Sequence, residues 1–188
     1  MSASPATASP TTAVTTWNID PAHSAAEFKV KHMMISNVKG KFHGISGLLT
    51  FNENDPRHSR IEATIPVASL MTGEEQRDGH LKSADFLDAE KFPTMTFKST
   101  EVDRTGPGEY AVVGELTLHG VSRNVSFAVE DFSAPGKDPY GNVRIGLTAT
   151  ARVNRKDFGL TWNAALETGG VLVGDDVQIT LDVQFIKA

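Results

Sequence analysis

Hydrophobic and polar residues alternate one for one through nearly every segment after Thr16, the period of a strand that buries one face and wets the other. In Ser24 to His32 the even positions Ala26, Phe28, Val30 and His32 share a face, opposed by Glu27, Lys29 and Lys31. Ile61, Ala63, Ile65 and Val67 alternate with Arg60, Glu62 and Thr64, and Met95 and Phe97 with Thr94, Thr96 and Lys98. Tyr110, Val112, Gly114, Leu116 and Leu118 form another apolar face. After a turn at His119-Gly120, Val121, Val125, Phe127 and Val129 form the next, so the pair reads as a hairpin. Arg123 falls in the apolar register of its second strand, where a side chain reaching solvent from the strand start is expected. Val143, Ile145, Leu147, Ala149, Ala151 and Val153 make a long strand, and Val177, Ile179, Leu181, Val183 and Phe185 close the chain with another. The stretch from Val38 to Phe51 is less regular; Gly40, Gly44 and Gly47 there point to bulges or a sharp bend.

Long antiparallel strands with one apolar face must bury that face, and closing the sheet on itself also removes exposed edges. The expectation is a mainly β chain with one closed antiparallel barrel of about eight strands, whose interior is filled by side chains or holds one small ligand. A two-sheet sandwich shows the same alternation.

Helical signal is confined to two places. Thr72-Gly73-Glu74-Glu75 matches a capping box. A helix is therefore predicted from there through Arg77, His80, Leu81 and Ala84, with Gly79 costing it about 1 kcal/mol. Pro93 ends it, since Phe92 is pushed toward extended geometry and the alternation of Met95 and Phe97 starts at once. The second place is Arg155 to Gly170, where alternation stops and Phe158, Leu160, Trp162 and Leu166 have to be buried. Phe86, Leu87 and Phe92 are likewise more apolar bulk than a surface connection needs, so short helices and loops should pack over the barrel mouth.

The chain of 188 residues fits a single domain, expected over residues 17–188, and the segment 1–16, rich in Ala, Ser, Thr and Pro, reads as a disordered tail. That tail has no cationic start and no apolar run of signal-peptide length. Nowhere does the chain approach the roughly 20 apolar residues of a membrane span. The expectation is a soluble, cytoplasmic protein without stable membrane insertion. A net charge of -5 and the absence of clustered Lys and Arg argue against nucleic acid as a partner. With no cysteine, disulfides, thiolate nucleophiles and cysteine-ligated metals are excluded.

Enzyme chemistry finds little support. There is no G-x-S-x-G, no P-loop and no G-x-G-x-x-G, and Gly169 to Gly174 leads into a strand, the wrong context for cradling phosphate. The six histidines contain no H-E-x-x-H and no i, i+2 pair, so neither a metal nor a cofactor is expected. By strand parity His43, His58 and His119 are surface residues, whereas His32 points into the barrel or sits at its mouth. His80, Asp85, Asp88 and Glu90 invite a proton-handling reading, but carboxylates where a short helix breaks are ordinarily caps and solvated turns. Apolar space is the positive signal. Each buried methylene stabilises a ligand by about 0.8 kcal/mol, so about ten carbons of an aliphatic chain contribute about 8 kcal/mol before ordering costs.

Several motifs are similar to one family: Trp17-Asn18-Ile19-Asp20-Pro21-Ala22-His23-Ser24, Phe28-Lys29-Val30-Lys31-His32, Val38-Lys39-Gly40-Lys41-Phe42, the run from Arg77 to Asp88, Phe92 to Ser99, Gly114 to Val121, and Arg155 to Leu160. Taken together they resemble the YceI-like polyisoprenoid-binding proteins from Trp17 to Lys187. The resemblance implies a lipocalin-like barrel, an elongated apolar cavity for the tail of a polyprenyl quinone or polyprenyl phosphate, a homodimer, and no established catalytic residue. Many relatives resemble exported proteins, and a periplasmic role is not carried over to this chain.

The first reading is therefore a carrier of an isoprenoid lipid. Phe28, Val30, His32, Phe42, Ile65, Met95, Phe97, Leu116, Leu118, Phe127, Leu147, Ile179 and Leu181 are expected to line its cavity, with Phe86, Phe158 and Trp162 at the mouth. The second is an enzyme acting on such a lipid, with His32, Arg77, Asp78 and His80 near the head group. The third is a structural barrel without ligand, its aromatics Phe158 and Trp162 serving a dimer interface.

Overall fold

The C-terminal strand is hydrogen-bonded along both of its edges, and this closes the sheet. The computed structural model describes residues 14–188. Its strands are β1 (Val14–Ile19), β2 (Ala25–His32), β3 (Ser36–Phe42), β4 (Ser46–Asn52), β5 (Arg60–Pro66), β6 (Thr94–Gly106), β7 (Glu109–Leu118), β8 (Val121–Glu130), β9 (Gly136–Lys137), β10 (Val143–Asn154) and β11 (Val173–Lys187). One edge of β11 pairs with β10 from Arg144 to Asn154; the other pairs with β2 and then with β1. The eight strands β1, β4, β5, β6, β7, β8, β10 and β11 thus form a closed antiparallel ring. Closure excludes the sandwich. The expected tail over 1–16 lies outside the described residues up to 13, and Val14 to Thr16 already belong to β1.

β1 and β2 lie end to end along β11 and act as one long strand broken at Asp20 to Ser24. β3 and β4 are likewise one strand broken at residues 43–45, because β3 pairs with β2 and β4 with β1. The three glycines there do different things. Gly40 sits in an unbroken ladder with the Phe28 ring against its Cα, Gly44 takes φ +69 at the break, and Gly47 leaves room for the β5 backbone, since a Cβ there would lie 2.1 Å from the Glu62 carbonyl oxygen. None of them is a bulge in this register. The outer edge of β3 is met by Met71, which exchanges two backbone hydrogen bonds of 2.9 Å with Lys41, so the 67–93 connection covers an edge left open where β5 ends.

Inward positions follow the expected parity through β5, β7, β8, β10 and β11, and β6 changes parity once, at an irregularity between Ser99 and Glu101 that lets both Phe97 and Val102 face inward. The β7–β8 turn places His119 and Gly120 at φ +52 and +70, as a tight hairpin turn requires. Arg123 stands opposite Leu116 yet is exposed, reaching solvent near the strand start as anticipated. The described residues include one α-helix, α1 (Glu75–Lys82). It begins later than the capping box predicts. Glu74 is the N-cap, its carboxylate accepting from the backbone N–H groups of Gln76 and Arg77, while Thr72 turns instead to Asp78. Glu74 takes over because the left-handed backbone at Gly73 separates Thr72 from the first helical turn.

The break between β1 and β2 is held by a charge network. Arg144 on β10 bonds Asp20 with Nη1 and Asp138 with Nε, the latter at 2.7 Å. His23 Nδ1 lies 2.8 Å from Asp20, and Asp20 N–H donates to the Gln184 carbonyl at 2.9 Å, stitching the break to β11. The Arg144 guanidinium, helped by His23 and the Ala22 N–H, outweighs burial and lowers the Asp20 carboxyl from 3.8 to about 2. A carboxyl lowered by folding stabilises the fold above its ordinary value, and that contribution is lost as pH falls through about 2. Asp20→Asn should therefore unfold at lower urea than wild type at neutral pH, yet lose less stability between about pH 5 and about pH 2. Urea midpoints across that range check the difference in slope.

Candidate functional site

Inside the ring lies a cavity of about 300 Å³, within the size range of small-molecule sites. Its wall on β11 runs from Val173 to Phe185, about 40 Å of strand at about 3.3 Å per residue, or about 30 Å along the axis once strand tilt is allowed for. The space is long and narrow. It survives because several inward positions are small, with Ala26, Ala63 and Ala149 facing it; Gly114 instead makes room for the Phe97 ring, which an added Cβ there would strike. Polar residues in its wall are few, chiefly Glu27, Ser59, Arg60 and Arg155.

Strand parity placed most of the lining. Of the sixteen residues named from the sequence, all but His32 and Trp162 contribute to the cavity wall. His32 ends β2 beside the turn, opposite Ser36 and Val173, and does not join the wall although Val173 does. Trp162 lies outside the wall and packs on its cover.

That cover is an aromatic group from both insertions. The His80 ring meets Trp162 and Phe86 edge to face, with centroids 4.8 and 5.1 Å apart, and Phe86 lies 5.2 Å from Trp162. Leu81 and Leu87, beneath them, reach the cavity. His80 Nε2 is 2.9 Å from Asp85, so this carboxylate orients an imidazole instead of capping a helix. Arg77 and Asp78 are also committed locally. Arg77 Nε donates to Thr72 Oγ1 at 2.7 Å, the Thr72 N–H donates to Asp78 at 2.8 Å, and the Thr72 hydroxyl holds the Asp78 carboxyl below its ordinary value. These groups knit the 72–82 segment together, and none of them lines the cavity.

The second insertion is organised by Arg155, only 4% exposed. Its Nε donates to the Gly174 carbonyl at 2.8 Å, and Nη1 donates to the carbonyls of Leu160 and Trp162 at 2.6 and 2.9 Å. Asp175 lies 3.6 Å from Nη2 and 3.0 Å from Lys156. Burial lowers the Arg155 guanidinium from its ordinary value, and Asp175 opposes this. Arg155 opens the family-like Arg155 to Leu160 motif, and nothing in that motif alone marks it as a buried donor. The signal was present, because 155 continues the odd inward register of Val143 to Val153.

Next to it, Phe158 is 2% exposed and fills the gap where β8, paired to β10 only at Ala128 to Glu130, splays away. A side chain so buried cannot form a dimer interface, and Phe158 is a wall rather than a gate. His119, expected at the surface, donates from Nδ1 to the Phe158 carbonyl at 3.1 Å and packs on Phe92. The far end of the barrel is closed by Phe51, Tyr110 and Phe132, with centroids 4.9 to 6.1 Å apart. Phe132 follows β8 in an irregular segment and carries no periodic signal. Among the described residues no group of His, Asp and Glu is arranged to hold a metal ion, and no helix is long and apolar enough to cross a membrane.

A closed antiparallel barrel around an elongated apolar cavity, with both ends covered by aromatic side chains, defines the class of barrel domain built around an internal apolar space. The chain matches the YceI-like domain over residues 17–185 and belongs to that family. It is 38% identical over 173 residues to the UPF0312 protein SA2479 of Staphylococcus aureus, covering 92% of this chain and 98% of that one. Among solved structures it is similar to the YceI protein of Campylobacter jejuni, with a TM-score of 0.70 and 29% identity over 84% of this chain and 90% of the other. BcnA of Burkholderia cenocepacia shares the fold at a TM-score of 0.77 and 24% identity, covering 88% of this chain and 98% of BcnA. A polyisoprenoid binding domain from Saccharophagus degradans shares it at 0.65 and 17% identity, covering 92% and 98%.

Arg155→Met should leave buried carbonyls without donors and lower stability by about 3 kcal/mol. Arg155→Lys should recover only a minor part, because a single ammonium cannot reach carbonyls spread around a planar fork. Urea unfolding of both variants measures this.

Proposed function

We propose that the barrel binds the apolar tail of a polyisoprenoid or similar amphiphilic lipid, of the polyprenyl quinone or polyprenyl phosphate class, for storage, transport or sequestration. The observation that carries this reading is the cavity itself, a continuous apolar space running along β11 from Val173 to Phe185. Its length favours a chain over a compact ring, and its wall offers carbon to bury against instead of groups that would orient a reacting centre. The polyisoprenoid binding domain of Saccharophagus degradans has the same fold, which is consistent with this use of the space. The local engagement of Arg77, Asp78 and His80 speaks against an enzyme that works on the lipid head. A homodimer, implied by the family resemblance, belongs to the same reading, and sedimentation equilibrium checks it.

Native mass spectrometry of the purified chain should show an added mass that organic extraction removes and identifies as an isoprenoid lipid. An apo mass after purification, together with no uptake of a polyprenyl quinone offered in detergent, would overturn the reading. Ala149→Phe places a ring in the middle of the cavity wall. It should reduce lipid uptake at least about tenfold, equivalent to about 1.4 kcal/mol, with the far-ultraviolet spectrum of the barrel unchanged. A fluorescent polyprenyl analogue, titrated into both proteins, gives the comparison.

A further inference from the structure

The turn between β2 and β3 carries residues that its geometry disfavours. Met33 and Met34 take φ +51 and +62, and the Ile35 N–H donates to the His32 carbonyl at 3.2 Å. A tight turn with both central residues left-handed favours Asn-Gly, because a Cβ is strained there. The side chains are not compensated by packing. Met33, Met34 and Ile35 are 40, 58 and 80% exposed, and none belongs to the core. Val171, 39% exposed, extends the patch, since the Met33 N–H donates to the adjacent Leu172 carbonyl at 2.7 Å.

Behind this apolar tip the hairpin is cationic. Lys29, Lys31, Lys39 and Lys41 stand on its two strands, with Lys29 directly opposite Lys39 although like charges in that position repel. None of the four has an ion-pair partner among the described residues. From Ala25 to Phe42 four lysines face one glutamate, in a chain whose net charge is -5. An apolar tip ahead of unpaired lysines on both strands complements one kind of surface, a plane of anionic headgroups over acyl chains.

We propose that the β2–β3 hairpin docks the barrel on an anionic lipid bilayer, with Met34 and Ile35 inserted and the four lysines over the headgroups. This docking does not depend on what the barrel contains. The hairpin lies at the barrel end covered by the two insertions, as its backbone contacts with Leu172 and Met71 establish.

Flotation of the full chain with two kinds of vesicle tests it, one of phosphatidylcholine alone and one with about a third phosphatidylglycerol. The chain should float with the anionic vesicles only, and less as salt rises. Lys29→Gln and Lys39→Gln should each weaken binding about fivefold, and Met34→Gly with Ile35→Ser at least about tenfold. Met34→Gly suits the left-handed backbone, so the thermal midpoint of that variant should not fall, which separates lost docking from lost folding. Equal binding to both vesicles, no binding to either, or a tip variant that floats like wild type would overturn the proposal. So would a dimer without vesicles that dissociates on changing the tip. A barrel that proves empty of lipid yet floats with anionic vesicles removes the cargo reading and leaves this one standing.

Discussion

Everything inside this protein depends on β11 being paired on both edges. With β10 on one side and the broken β1 and β2 strand on the other, every ring strand is paired on both sides over at least part of its length, and the apolar faces of all eight are turned onto one enclosed volume. A sheet closed in this way cannot collapse onto a second layer. Its interior is either filled by its own side chains or left as space. Ala26, Ala63 and Ala149 leave space.

Closure also creates the problem that the irregular segments solve. Where β5 stops at Pro66 and β8 departs from β10, backbone and apolar side chains would meet water. The 67–93 connection pairs Met71 with β3, and the Arg155 to Phe158 turn plugs the second gap. Arg155 makes that plug rigid because its planar guanidinium supplies donors to the carbonyls of Leu160, Trp162 and Gly174 at once. The two insertions then meet through His80, Phe86 and Trp162. A histidine between two aromatic rings and a carboxylate holds a cover in place, and the same residue types in solvent would resemble a proton relay.

Charge is distributed as unevenly as apolar bulk. Asp20 and Asp138 are tied into a network by Arg144, while the lysines of the β2–β3 hairpin are left unpaired and its turn is built from residues a stable turn would avoid. Local stability and exposure conflict there, and exposure prevails.

Which residues face inward was legible from the sequence, because in a strand the side chain direction is set by parity alone. Twelve of the sixteen proposed lining residues reach the wall by that rule, and Phe86 and Phe158 reach it from the insertions. It fails at strand ends and breaks, where parity no longer reports direction: the terminal His32 stays out of the wall, His119 bends back onto the Phe158 carbonyl, and Phe132 joins the far aromatic cluster from outside any strand. The helix start moved from Thr72 to Glu74 because the positive φ of Gly73 came between them. Arg155 was in register all along, but a charged residue is taken for an inward one only when its buried partners are known, and those lie on Leu160, Trp162 and Gly174. The sequence by itself determined the two faces of each strand, since period and polarity are local properties. Only the tertiary structure decided that the sheet closes through β11, that space remains inside it, and which polar groups hold its ends, because each of these depends on contacts between residues far apart in the chain.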